Sequence, residues 1–77
     1  DADARLQALK PVMTELALEL EIPGENILQP DLMRRVAWEP AEDIAEQLLN
    51  FGARTWQVQA VSEKFTVALE ALNQKLH

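Results

Sequence analysis

The chain has 77 residues, 13 acidic against 7 basic, a net charge of −6 and no cysteine. A chain this short builds at most one small core, worth about 3–5 kcal/mol without staples, and the missing cysteines exclude disulfides and thiolate metal sites. The negative charge opposes condensation onto a phosphate backbone, so any nucleic-acid contact has to be local.

Apolar residues make up 48% of the chain and recur at helical spacing, which separates it from disordered sequences and predicts one folded domain over 1–77. No apolar run approaches the ~20 residues of a membrane helix, and the N-terminus lacks a basic stretch followed by an apolar one. The expectation is a protein without a membrane partner, compatible with a reducing cytoplasm.

In the first segment Leu6, Leu9, Met13, Leu16 and Leu20 step by three and four and lay one stripe along a helix, widened by Val12, Ala17 and Leu18. Pro11 falls inside the stripe without changing its phase, which predicts one kinked helix rather than two. It should stop near Glu21, where Ile22-Pro23-Gly24-Glu25-Asn26 reads as a linker. Ile27 and Leu28 follow in a segment too short for a helix, two aliphatics that anchor the crossing.

Pro30 and Asp31 suit the first turn of a second helix, Pro30 to Trp38, with Leu32 or Met33, Val36 and Ala37 inward and Arg34 and Arg35 outward. Glu39-Pro40 then signals a third helix with Ala41, Ile44, Leu48 and Phe51 inward and Glu42, Asp43 and Glu46 on its outer face. Gly52 is positioned to end it in a left-handed residue. A turn around Arg54 to Gln59 should lead into a long last helix from Ser62, on a stripe of Val58, Val61, Phe65, Leu69, Leu72 and Leu76. The alternation Trp56-Gln57-Val58-Gln59-Ala60 is the nearest thing to a strand and is flanked by helix signals. The fold class is therefore all-α, a compact bundle of four to five helices.

Chemistry is scarce. The one histidine, His77, is at the C-terminus, so no serine or threonine has a base beside it for nucleophilic catalysis. The carboxylates fall on helix faces that periodicity makes solvated instead of converging on a metal. Two glycines cannot build a phosphate-cradling loop. The expectation is a chain that is not an enzyme and holds no cofactor.

What remains is a cationic and aromatic set: Arg34, Arg35, Arg54, Trp56 and Lys64 are the candidate nucleic-acid-binding residues. Arg34 and Arg35 also have an ordinary reading as solvated cations or partners of Glu39 and Asp43. Trp56 can stack on a base or a partner, or close the bundle from inside. Trp38, just before Glu39-Pro40, is expected to plug the junction between the second and third helices.

The order of these signals, a long helix ending in Leu-Glu-Ile-Pro, then Ile27-Leu28, then Pro30-Asp31-Leu32-Met33-Arg34-Arg35-Val36-Ala37-Trp38-Glu39-Pro40, resembles the HRDC fold, the helicase-and-ribonuclease-D C-terminal domain. Arg-Arg-Val-Ala-Trp-Glu-Pro at 34–40 and Phe-Gly-Ala-Arg-Thr-Trp-Gln at 51–57 are most similar to the last domain of actinobacterial ribonuclease D-like proteins. The alternative within the fold, the HRDC domain of a RecQ-type helicase, usually carries a Gly-rich turn before its last helix. Gln57 to Ser62 contains no glycine.

The resemblance implies an accessory domain of a bacterial 3′-to-5′ exoribonuclease engaged in RNA processing, whose divalent metal ions and catalytic acids belong to a separate domain. Two roles follow. The domain helps bind or position single-stranded or structured RNA, weakly, through the five candidates. Alternatively it docks against the catalytic domain of the same chain or another protein, with no nucleic-acid contact.

Overall fold

The stripe of Leu6, Leu9, Met13 and Leu16 forms the inner side of the first helix, α1, Ala2–Leu20. The structure, a computed structural model, describes residues 2–76. Asp1, His77 and the side chain of Leu76, the last member of the expected C-terminal stripe, lie outside the described part. Pro11 sits within α1 without dividing it. It has no N–H to offer the carbonyl of Gln7, but both residues are exposed, so solvent is at hand for that carbonyl. The stripe is narrower at its end than expected: Leu20 is exposed and Leu18 is 77% exposed. The correction has a simple cause, since Ile22 folds back behind Ala17 and both pack on the core there.

α1 ends where Glu21 takes a left-handed φ of 57° and the Ile22 N–H donates to the Ala17 carbonyl at 3.2 Å. That is a Schellman closure with a glutamate in the place glycine usually takes. The segment after it, expected as linker, contains a one-turn helix, α2, Gly24–Ile27, held by Leu28 N–H to the Gly24 carbonyl at 3.0 Å. Ile27 and Leu28 anchor it and are both buried.

The third helix, α3, is Pro30–Trp38, with the expected bounds. Leu32, Val36 and Ala37 are its buried face, and Arg34 and Arg35 point outward. α4, Ile44–Asn50, begins later than the Glu39-Pro40 signal indicates. Asp43 caps it, its Oδ1 accepting from the Glu46 N–H at 3.1 Å. Ala41 therefore lies outside the helix and is exposed, while Ile44 and Leu48 are buried and Phe51 is half-buried. α4 closes as the glycine signal requires: Gly52 has φ 96°, Ala53 N–H donates to Leu48 O at 3.0 Å, and Gly52 N–H to Leu49 O at 3.0 Å.

The last helix, α5, runs Thr55–Leu76, so the turn expected at Arg54 to Gln59 is already its first turn. Gln57 explains the early start. Its Oε1 accepts from the Arg54 N–H at 2.8 Å, which is the third helical residue reaching back to the cap. Its Nε2 donates to the Ile27 carbonyl at 3.0 Å and lies 3.4 Å from Gln29 Oε1. One amide thus starts α5 and ties it to the end of α2.

α5 packs against α1 and α4, and α1 also packs against α3 and α2. Phe65, the largest fully buried side chain, sits with Leu9, Val36, Leu48 and Val61 in one core that takes residues from all five helices. No strand occurs among the described residues, and the molecule is an all-helical bundle of five elements. Among the described residues no helix is long and apolar enough to cross a membrane.

Candidate functional site

An open groove of about 1010 Å³ lies between the end of α3 and the outer side of α4. Three side chains fix its shape. Gln47 Nε2 donates to the Glu39 carbonyl at 2.7 Å while its Oε1 accepts from the Ala41 N–H at 3.0 Å, so one side-chain amide clamps the loop from 39 to 43. Asp43 caps α4 below it. Across the fold, Arg5 of α1 donates from Nε to the Ala37 carbonyl and from Nη2 to the Trp38 carbonyl at 2.9 Å. A guanidinium on the last carbonyls of α3 satisfies orphan acceptors and favours the negative end of the helix dipole.

Gln47 holds the loop at this junction and Arg5 holds the α3 terminus through backbone carbonyls, without the indole. Trp38 is 74% exposed and lines the groove, contrary to the expectation that it plugs the junction. Phe51 forms apolar wall opposite, with the Arg35 guanidinium 5.4 Å from its ring centroid. Arg34 lines the groove as well. Four carboxylates, those of Glu39, Glu42, Asp43 and Glu46, share it with these two arginines.

The sequence candidates do not share one depression: Arg34 and Arg35 line the groove and Lys64 does not. Arg34 and Arg35 lie in the α3–α4 groove, and Arg35 pairs with Asp31 one turn back, Nε to Oδ2 at 3.5 Å, instead of with Glu39 or Asp43. Both members of that pair are well exposed, which makes it worth at most about 1 kcal/mol. Lys64 lies elsewhere, in a smaller depression between α1 and α5 with Val12, Glu15 and Val67. Arg54 and Trp56 stand together at the start of α5, the arginine exposed and the indole 46% exposed, so Trp56 does not close the bundle from inside.

Sequence reasoning passed over Arg5, Gln47 and Gln57. Nothing local marks Arg5, whose partners are more than thirty positions away. Gln57 acts from the third position of α5 on the backbone of Arg54, which is not a residue type that marks a helix start in sequence. Among the described residues no group of three or more Asp, Glu or His is arranged to hold a metal ion.

The model of the 3′ to 5′ exonuclease C-terminal domain family matches residues 1–69. The chain belongs to that family. No curated protein and no solved structure matches it. In this exonuclease C-terminal domain the groove open to solvent combines aromatic rings with charged side chains of both signs.

Proposed function

We propose that this exonuclease C-terminal domain is the non-catalytic accessory domain of a ribonuclease D-like 3′-to-5′ exoribonuclease, and that its main role is to dock against the exonuclease domain through the α3–α4 groove. The observation that carries the reading is Trp38, an indole left 74% exposed beside Arg34, Arg35 and Phe51. Tryptophan and arginine are the residues that most often dominate protein interfaces. An exposed indole beside a fixed groove is a ready anchor for a neighbouring domain, and such interfaces are moderate in size and partly polar.

The four carboxylates in the same groove weigh against a phosphate backbone there, because each repels the anion that the arginines would attract. RNA positioning keeps one supporting observation. Arg54 and Trp56 are both exposed at the start of α5, near the positive end of the helix dipole.

Two measurements separate the roles. Deleting residues 1–77 from the longer protein lowers its thermal stability if the domain docks; unchanged stability and unchanged domain arrangement would overturn that role. Titrating the isolated chain with single-stranded RNA at low salt tests the other, and no detectable association removes RNA positioning by the domain alone.

A further inference from the structure

The charges of the α3–α4 groove are sorted by wall. Arg34 and Arg35 come from α3, whereas Glu39, Glu42, Asp43 and Glu46 come from the loop after it and the first turn of α4. Arg35 is already occupied by Asp31 and by the Phe51 ring. Asp43 spends one oxygen on the Glu46 N–H. The side chains of Glu39, Glu42 and Glu46 enter no ion pair among the described residues, and all three are exposed. Between the walls the apolar lining is Trp38, Pro40, Ala41 and Phe51.

Resting on the docking role above, we infer that the groove receives a basic protein segment, one that brings lysine or arginine side chains to the Glu39–Glu46 wall and an apolar side chain to the Trp38 ring. Charge complementarity selects this occupant. The groove carries an excess of two negative charges even when both arginines are counted, so an acidic or phosphorylated segment is repelled on balance. The Trp38 ring supplies the apolar contact around which such charges become effective, since a ring that excludes water strengthens the pairs at its rim. The Gln47 clamp and the Asp43 cap hold the acidic wall before the partner arrives, so little ordering of it is left to be done on binding.

The test uses the chain 1–77 carrying Trp56→Phe, so that its fluorescence reports Trp38 alone. The probe is a short synthetic peptide of alternating lysine and leucine, with a glutamate and leucine peptide and oligouridylate as comparisons. The lysine peptide is expected to give a saturable blue shift of the Trp38 emission that weakens with salt. Replacing Glu42→Gln together with Glu46→Gln should weaken its binding roughly fivefold. The same change at Glu70, exposed on α5 and outside the groove, should leave it unaltered. Helix content by circular dichroism checks that each variant is folded, and the Asp43 cap is left intact in all of them.

No saturable shift with the lysine peptide overturns the inference, as does equal binding of the glutamate peptide or indifference to the paired Glu42 and Glu46 replacements. A larger shift with oligouridylate also overturns it and moves the groove to nucleic acid. The docking role has a separate readout, the reactivity of Trp38 in the longer protein. Trp38 shielded there while the lysine peptide fails to bind rejects the basic occupant and leaves docking standing.

Discussion

Gln57 joins the start of the last helix to the end of the second, and replacing it should be among the most damaging single changes outside the apolar core. In Gln57→Leu the volume is nearly conserved, so no cavity forms and only the polar contacts are lost. The Ile27 carbonyl, on a residue with no exposure, loses its 3.0 Å donor. Leaving such a buried acceptor unmatched costs about 1–3 kcal/mol. The Arg54 N–H loses its 2.8 Å acceptor at a partly buried position, where solvent replaces some of the bond, for about 0.5–1 kcal/mol. Restored apolar burial offsets a small part, so the change should destabilise by about 2–3 kcal/mol, much of the ~3–5 kcal/mol such a domain has. With a urea slope near 1 kcal/mol per molar, the midpoint followed by circular dichroism should fall by about 2–3 M. Gln59→Leu is the control: it lies two residues along on the exposed side and should move stability by less than about 0.5 kcal/mol. Equal midpoints for the two variants would refute the assignment of Gln57 as the tie between α2 and α5.

The two Schellman closures give opposite expectations. Glu21→Gly relieves a left-handed glutamate and should raise stability by about 0.5–1 kcal/mol, whereas Gly52→Ala should lower it by about 1 kcal/mol, both read from thermal melts. The space around Gly52 is open, so the second loss is backbone strain alone and steric repair elsewhere should not rescue it. Arg5→Met removes two hydrogen bonds from a charged donor to the α3 terminus and should cost about 1.5–3 kcal/mol in chemical denaturation. A loss below about 0.5 kcal/mol would mean that solvent serves those carbonyls equally well. Trp38→Ala should leave the isolated chain's stability within about 0.5 kcal/mol, because the ring buries little; a drop of several kcal/mol would return the indole to the core.

The elements that the sequence made legible are those in which one local rule dominates. Leu9, Met13 and Leu16 keep a single phase and form the buried side of α1, Pro30-Asp31 opens α3, and Gly52 closes α4 in the conformation that only glycine adopts freely. The misreadings fall where two local signals compete. Glu39-Pro40 and Asp43-Ile44-Ala45-Glu46 both read as helix starts, and the second prevails because its capping oxygen meets a backbone donor. The start of α5 lies ahead of Ser62 because the Arg54 N–H is satisfied by Gln57, a side chain three residues inside the helix. The same amide carries the long-range bond to Ile27, which no window of sequence contains.

The candidate surface was the least legible part. That Arg34 and Arg35 face outward follows from helical period, and the structure agrees. Whether they meet Lys64 depends on how α3, α4 and α5 cross, and the bundle puts Arg34 and Arg35 in one depression and Lys64 in another. Trp38 reversed its expected role for a reason equally remote from local pattern. Arg5 and Gln47 complete the junction, one from α1 and one from α4, and the ring is left on the outside.

The docking role is tested most directly by oxidative footprinting of Trp38, comparing the isolated chain with the longer protein that includes its exonuclease domain. Docking through the α3–α4 groove predicts that the ring, freely oxidised in the isolated chain, becomes several-fold less reactive in the longer protein. Equal reactivity in both would contradict it.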